Sequence, residues 1–413
     1  MQSNTPASLP ALRRPSYLEG LRGLAAWMVV FGHTINTFLP AWTGAGGSFA
    51  AEPAWAKTIV TTPLSLPFRS RFAVLFFFVH SGFVLSYRYF SAGRGTAELA
   101  SAAARRYFRL ALPATASILV GYAALKAGLF DLAPLAARSG SWWIASHFHQ
   151  TPDLLNALQQ GLYDYFFGAD VPAPQSYNSP LWTITTEFKA SFLVFGLIAL
   201  FGALRHRWIV WAVCGFVLRD TWFLAFVLGV ALCDLYTWPR AQAWLAKVPL
   251  VARLACVAAA VFVACWSNEG ATRAYYAWFP AAHSDLIMSL GAAALVFAVM
   301  TSRGAQSLLD RRLFRRLGEL SYSVYLLHQI ALFASASLLY LRLIGQGVSP
   351  LAAGLASAGL AWAVTLVGAI AFRKWVDLPS IAFGKKVFGR IFEPVPSAPA
   401  VVESDPEAAR RAI

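Results

Sequence analysis

The sequence predicts an all-α polytopic membrane protein, a bundle of about ten transmembrane helices with both termini in the cytoplasm. Apolar residues make up 58% of the 413 residues and charged residues 13%, whereas soluble domains have about 45–50% and about 25%. The apolar residues also fall in runs that approach the ~20 residues needed to cross a bilayer. This composition excludes a disordered chain. The formal net charge of +15 does not indicate a nucleic-acid partner, because the charges lie between apolar runs.

Ten apolar runs predict the spans, and each is expected to be helical because backbone groups in hydrocarbon must pair with one another. The runs lie near residues 21–39, 72–88, 108–127, 181–203, 207–218, 222–236, 254–266, 285–301, 319–341 and 351–372. The segment 44–70, broken by Gly and Pro, is predicted to be a partly buried loop. The aromatic segment 128–180 is predicted to be a longer loop at the membrane interface.

Most of the 34 basic residues fall in segments that are cytoplasmic if the N-terminus is cytoplasmic. We therefore expect a cytoplasmic segment over 1–16, a membrane domain over 17–376 and a cytoplasmic tail over 377–413. Basic and apolar residues alternate from Ile381 to Phe392, which is typical of a helix lying on an anionic leaflet, and the rest of the tail is expected to be disordered. Membrane lipids are thus expected partners.

No pattern in the sequence predicts a metal site or a disulfide. The cysteines lie in or at the ends of apolar runs, and their spacing matches no ligand pattern; they are Cys214, Cys233, Cys256 and Cys265. Walker loops and HExxH are absent from the sequence.

Ionisable residues inside spans are the first candidates for function, because burying them in lipid is costly. Arg22 and His33 are eleven residues apart, three helical turns plus about 20°, and so share one face of the first span. Glu187 lies at a depth similar to that of His33. We predict that Glu187 orients the imidazole of His33, which acts as a general base. The alternative is a polar contact that only stabilises the bundle. His80 and His328 are further candidates inside spans.

A basic cluster lies where the third span is predicted to begin. Spacings of three and four residues place Arg105, Arg106 and Arg109 on one helical face. Guanidinium groups in this arrangement suit phosphate oxygens. A lipid-headgroup anchor or a signal for membrane orientation is an equal alternative.

Five motifs then resemble acyltransferase family 3, membrane proteins that transfer acyl groups to envelope and extracellular glycans and some lipids. The first runs from Tyr17 through Arg22 to His33, and the second is Phe76-Phe-Phe-Val-His-Ser-Gly-Phe, which contains Ser81. His80 in the second motif departs from the family, where an aliphatic residue is more usual.

The remaining three motifs follow in the family's order, so the resemblance covers residues 17 to about 376. They are Arg105-Arg106-Tyr-Phe-Arg109-Leu-Ala-Leu-Pro113, Ser179-Pro-Leu-Trp182-Thr-Ile-Thr-Thr-Glu187 and Leu317-Gly-Glu-Leu-Ser321-Tyr322-Ser-Val-Tyr325-Leu-Leu-His328. Pro180 is a smaller departure from the tryptophan motif.

The resemblance implies an O-acyltransferase that takes an acyl group, most often acetyl, from cytoplasmic acyl-CoA to a hydroxyl of an extracytoplasmic glycan. Acyl-CoA is then a co-substrate, with no permanently bound cofactor. Arg22 and the arginine cluster would hold the CoA phosphates, His33 would be the base, and Glu187 would fix its tautomer. Ser81 or His33 would carry any acyl-enzyme intermediate. The other motif residues are further site candidates: Trp182, Tyr322, Tyr325, His80 and His328.

Two rival interpretations stay open from the sequence. One is a proton-coupled transporter of an anionic or lipid-linked substrate, with His33 and Glu187 as its proton relay; the absence of a clear internal repeat argues against it. The other is a different O-acyltransferase architecture, against which the motif order argues. The acceptor is open as well, although Trp142, Trp143 and Tyr177 offer rings for sugar stacking. A bacterial cytoplasmic membrane is the expected location.

Overall fold

The described part of the chain is helical, as expected for a polytopic membrane protein. A computed structural model describes residues 15–92, 96–168, 170–266 and 283–391. Across these ranges no strand forms, and one isolated bridge joins Gly46 to Ser141. The first fourteen residues and the tail beyond 391, where a cytoplasmic segment and disorder were predicted, lie outside these ranges.

A helix lies at each of the ten predicted spans. In chain order these are α1 (Tyr17–Phe38), α2 (Ser70–Ala92), α3 (Thr96–Lys126), α4 (Trp182–Phe201), α5 (Arg207–Val217), α6 (Phe223–Thr237), α7 (Leu250–Ala264), α8 (Ser284–Met300), α9 (Arg312–Ser335) and α10 (Pro350–Phe372). A π-helical turn, Ala336–Tyr340, continues α9 into Leu341–Gly345. A second one, Arg373–Asp377, continues α10 into α11 (Leu378–Ile391).

Five described stretches are long and apolar enough to cross a membrane, those built on α2, α3, α4, α9 and α10. The number becomes seven if two bent pairs each count as one span. In these pairs α6 meets Pro239–Leu245 at 91°, and α8 meets Arg303–Leu309 at 94°. A polytopic membrane protein is thus supported, while ten crossings and their orientation stay predictions.

The third helix begins earlier than its predicted span. It starts at Thr96, about three turns before the predicted start at residue 108. The arginine cluster therefore lies within α3 and not at its first turn. The prediction placed the start at the first purely apolar stretch, but Thr96–Ala104 is rich in alanine, the strongest helix former.

Short helices fill the two predicted loops. The first loop contains Phe49–Ala51, Ala54–Thr61 and Pro63–Phe68, and Pro40–Trp42 lies just before it. Pro40–Trp42 and Pro63–Phe68 pack on α1. The second contains Leu132–Ser139, Trp142–Ala145, Leu154–Gln159, Gln160–Asp164, Tyr165–Phe167, Ala173–Gln175 and Ser179–Leu181.

The second loop does more than lie at an interface, because part of it folds over the ends of α1 and α9. Ser141 donates a hydrogen bond to the Asn36 carbonyl at 2.7 Å. Leu135 and Ile144 are fully buried in one apolar cluster with Phe333 of α9. The segment therefore helps to close the end of the bundle at which His33 lies.

Glycines let the central helices approach one another closely. A side chain at Gly318 of α9 would collide with the Glu19 carbonyl of α1, and one at Gly82 of α2 would collide with the Phe226 carbonyl of α6. Small residues at such crossings are typical of membrane bundles. Gly82, half of the Ser81-Gly82 pair, is thus a packing residue. The helices that it and Gly318 draw together carry most of the site residues.

Candidate active site

Two cavities in the described part of the bundle are lined by predicted site residues. The basic cavity has a volume of about 530 Å³ and is lined by residues of α1, α2, α3, α4, α9 and α11. The histidine cavity has a volume of about 330 Å³. It is lined by Val29, His33, Asn36, Ser70, Arg71, Val74, Trp143, Pro180, Trp182, Trp222 and Tyr325. The Arg22 and His33 ends of α1 thus contribute to different cavities.

The predicted arginine cluster lines the basic cavity together with Arg22. Arg106 is buried and forms an ion pair with Glu187 at 2.5 Å, and it also donates to Ser191 at 2.8 Å. Arg105 donates to the Ser101 carbonyl. A buried guanidinium with a carboxylate partner is already compensated, so Arg106 anchors α3 to α4 as well as facing the cavity.

Arg22 is held by α9. Its Nε donates to Ser321 at 2.8 Å, and its Nη2 donates to the Gly318 carbonyl at 2.7 Å and pairs with Glu19 at 2.8 Å. The fixed guanidinium forms part of the cavity wall, close to the α1–α9 crossing at Gly318. Arg22 and the arginine cluster thus line the same cavity, while a shared ligand site stays a prediction.

Three further cations on the cavity wall have no ion pair or hydrogen bond with any described residue: Arg88, Arg109 and Lys385. The acidic side chains on the same wall are Glu187 and Asp377. Six basic groups therefore face two acids across the described lining. An excess of unpaired positive charge in a concave site favours an anionic ligand, and several phosphates would satisfy it.

The histidine cavity contains a pair of histidines in direct contact. His33 Nδ1 lies 2.8 Å from His328 Nε2, and His328 Nδ1 lies 2.7 Å from the Tyr325 carbonyl oxygen. A carbonyl only accepts, so a neutral His328 must be protonated at Nδ1 and must accept at Nε2. His33 then donates from Nδ1 and keeps the lone pair of Nε2 for a substrate. The network thus assigns His33 the tautomer of a general base.

An aromatic ring from the second loop packs against this pair. The Trp143 ring lies 4.9 Å from the His33 ring. Behind it, His147 lies 2.6 Å from the Trp143 carbonyl and 3.0 Å from Ser179 Oγ. Burial lowers the pKa of His147 to about 4, so this ring is neutral near pH 7. The loop therefore supplies an uncharged wall that holds the His33 ring in place.

The predicted contact between His33 and Glu187 is absent from the structure. Glu187 accepts from Arg106 and, at 3.2 Å, from Ser81, and it lines the basic cavity. The prediction used only the depth of Glu187 along its helix, and depth does not fix which side of the helix a residue faces. Arg106 within α3 provides the cation that a partly buried carboxylate such as Glu187 needs. His328, named in the sequence only as a further candidate, holds the position predicted for Glu187.

The other predicted site residues are divided between the cavities. Ser81 and Tyr322 line the basic cavity, and Trp182 lines the histidine cavity, with its ring 5.2 Å from that of Trp222. The His80 ring lies against the backbone of α1, where its Nε2 is 3.1 Å from the Leu18 carbonyl.

Of the three rings predicted to stack on a sugar, Trp143 alone lines a described cavity. Tyr177 is fully buried and its hydroxyl contacts the backbone at Asp153. Trp142 donates to the Gly44 carbonyl from an exposed position.

Sequence reasoning did not name several residues that line the cavities. One of them, Arg88, belongs to a seven-residue repeat that could have identified it. Arg88 follows Ser81 by seven residues, and Ser81 follows Val74 by seven, so all three share one face of α2. That repeat marks the α2 wall of the basic cavity. Arg71 reaches the histidine cavity and pairs with Asp285 at 2.6 Å, a contact between distant parts of the chain that no local pattern predicts.

Comparison with known proteins agrees with the motifs. Residues 16–372 match the family described as the acyltransferase domain. A curated protein from Cochliobolus lunatus, named Acyltransferase clz18, is 27% identical over a match that covers 46% of this chain and 50% of that protein. The chain thus spans about half the length of the curated relative that it matches. No solved structure matches it.

Proposed function

The chain belongs to acyltransferase family 3, whose acyltransferase domain it matches over residues 16–372, and from this premise we propose which groups it joins and how. As a member it is a membrane enzyme that transfers acyl groups. We propose that it moves an acyl group, most often acetyl, from acyl-CoA on the cytoplasmic side to a hydroxyl of a glycan on the other side.

The basic cavity is the proposed site of the donor. Arg88, Arg109 and Lys385 form no ion pair or hydrogen bond with a described residue, which suits the several phosphates of CoA. Arg22 and the remaining cluster arginines complete the positive wall. The apolar part of the lining, which includes Phe77 and Ile184, suits a pantetheine arm that extends toward the histidine cavity.

The hydrogen-bonded chain from His33 through His328 to the Tyr325 carbonyl carries the proposed chemistry. In direct transfer, His33 Nε2 accepts the proton of the acceptor hydroxyl, whose oxygen attacks the thioester carbon. The carbon–sulfur bond breaks, and the thiolate of CoA leaves with its electron pair and takes a proton from His33. His328 holds the His33 ring and shares its positive charge during the step.

The acceptor is proposed from the surroundings of His33. Trp143, Trp182 and Trp222 line the histidine cavity, and flat aromatic rings suit the apolar faces of a sugar. A glycan or lipid-linked sugar reaching this cavity from outside a bacterial cytoplasmic membrane fits the positive-inside orientation. The transporter hypothesis needed a relay between His33 and Glu187. The structure places these residues in different cavities, so we do not propose transport.

The test is a glycan analysis in cells that lack this protein, complemented with the wild type, His33→Gln or His206→Gln. His206 is exposed and lines neither cavity, which makes it a matched control. Mass spectrometry should find an acyl group restored by the wild type and the control, and reduced on the order of 100-fold or more by His33→Gln. Full restoration by His33→Gln would refute the role of this base. An unchanged glycan profile in every strain would refute the acceptor class.

A further inference from the structure

The two cavities meet at a neck formed by two side chains. Among the described residues, Val74 of α2 and Tyr325 of α9 line both cavities. Both side chains are buried, with exposed fractions of 7% and 8%. A group that passes from the arginines to His33 therefore has to pass this neck.

One side of the neck is fixed by hydrogen bonds. The Tyr325 hydroxyl donates to the Pro180 carbonyl at 2.8 Å and lies 2.6 Å from Thr183 Oγ1, which is placed to donate to it. The Phe77 ring packs edge-on against the Tyr325 ring with centroids 6.2 Å apart. Moving this ring would break two buried hydrogen bonds, so it is the rigid side of the neck.

The opposite side is a single β-branched residue. Val74 has one side-chain torsion and few favourable rotamers. Its side chain is too short to rotate out of the passage. The wall that the two cavities share is therefore formed by the two methyl groups of Val74 and by a fixed ring.

We propose that the Val74–Tyr325 neck selects the acyl group by its length and admits short acyl groups such as acetyl. This inference rests on the proposed function. With its phosphates among the arginines, the donor brings its thioester to the neck, and the acyl group must fit beside Val74 while His33 acts from the other cavity. Each added methylene then meets Val74, whereas the CoA part of the donor is held equally well.

The test compares acetyl-CoA with butyryl-CoA as donors for the purified full chain in lipid nanodiscs. Membranes from cells that lack the protein supply the acceptor, and free CoA and labelled acyl groups on the acceptor are both measured. Val74→Ala should raise the butyryl-to-acetyl ratio of kcat/KM roughly tenfold. Val74→Ile should lower that ratio, because it adds a methylene to the same wall.

The matched control is Val84→Ala, the same change on the same helix at a position that lines the basic cavity away from the neck. It should keep the length preference of the wild type. Thermal unfolding of each variant checks that the bundle is intact, and Val74→Ile keeps the test valid if Val74→Ala proves unstable.

The outcomes separate this inference from the function on which it rests. If the wild type transfers acetyl in a His33-dependent manner but both Val74 variants keep its length preference, the neck proposal is wrong and the enzyme proposal stands. If Val84→Ala shifts the preference as much as Val74→Ala, cavity volume and not the neck sets the length. If the wild type releases no CoA from either donor, both proposals fail.

Discussion

In the proposed mechanism His328 sets up His33 as the base, because the tautomers of both rings follow from one contact with the Tyr325 carbonyl. Replacing His328 with Leu should lower kcat on the order of 100-fold, or about 2.7 kcal/mol of transition-state stabilisation, with little change in KM for acyl-CoA. His328→Gln should recover part of the loss, since its amide oxygen can accept from His33 Nδ1. Steady-state kinetics check this, and equal losses in both variants would point to a merely structural role.

Arg109 is the exposed arginine of the cluster, and it forms no ion pair or hydrogen bond with a described residue. Its charge is therefore available to a ligand. Arg109→Gln should weaken acyl-CoA binding by about 1–3 kcal/mol without lowering the unfolding temperature. Arg312→Gln, an exposed arginine that lines neither cavity, serves as the control in calorimetric titrations. Equal affinities for the two variants would assign Arg109 to membrane anchoring.

The candidate residues could be read from the sequence, but their pairing could not. Arg22 and His33 lie on one helix, and the fixed rise and rotation of that helix predicted their relation. Glu187 and His328 lie on other helices, and which of them meets His33 depends on how each helix is rotated about its axis. That rotation is set by packing contacts such as the one between Gly318 and Glu19, which involve residues nearly three hundred positions apart.

At the scale of helices, Gly82 shows how small residues fix the site. Gly82→Ala should lower the free energy of unfolding by about 1–3 kcal/mol, because the added methyl group meets the Phe226 carbonyl and pushes α6 from α2. Gly359→Ala on α10 has nothing within 4 Å of the new methyl group and should be neutral or stabilising. Thermal unfolding in detergent compares them, and similar midpoints would contradict the close crossing.

The second loop should lose stability in acid through His147. Its pKa is about 4 in the folded protein, against 6.5 for the free side chain. Between these values the unfolded chain binds a proton that the folded chain does not, so stability falls as the pH drops from 6.5 toward 4. The difference in unfolding midpoint between pH 7 and pH 5 should be smaller for His147→Gln than for the wild type. If the wild type and His147→Gln show the same difference, His147 takes up its proton as readily in the folded protein as in the unfolded chain.

Element positions were more predictable than element ends. All ten apolar runs are helices because long apolar stretches need paired backbones, but α3 begins at Thr96 and α10 continues through a π-helical turn into α11. The interfacial helix predicted from Ile381 overlaps α11, which packs on α3 through Phe383 and Phe388 against Phe108. The alternation of basic and apolar residues predicted a helix there, and the tertiary contacts place it beside the basic cavity.

For the whole molecule, the two cavities must open on opposite sides of the membrane if the proposed reaction is correct. In a chain whose four cysteines are replaced by alanine, His149→Cys and Lys386→Cys place single thiols at exposed positions of the second loop and α11. A membrane-impermeant maleimide should label position 149 in intact cells and position 386 only after permeabilisation. Labelling of both from one side would refute the arrangement.

The neck proposed at Val74 and Tyr325, which line both cavities, has a consequence for the cell as well as for the substrate. A membrane enzyme whose substrates enter from both sides of the membrane could leak ions. A continuous chain of water molecules through it would dissipate the proton gradient. If the neck proposal is correct, the ring held by two hydrogen bonds and the branched side chain would also keep ions from passing through the resting protein. The absence of an ion leak and the selection of the acyl group would then depend on the same two residues.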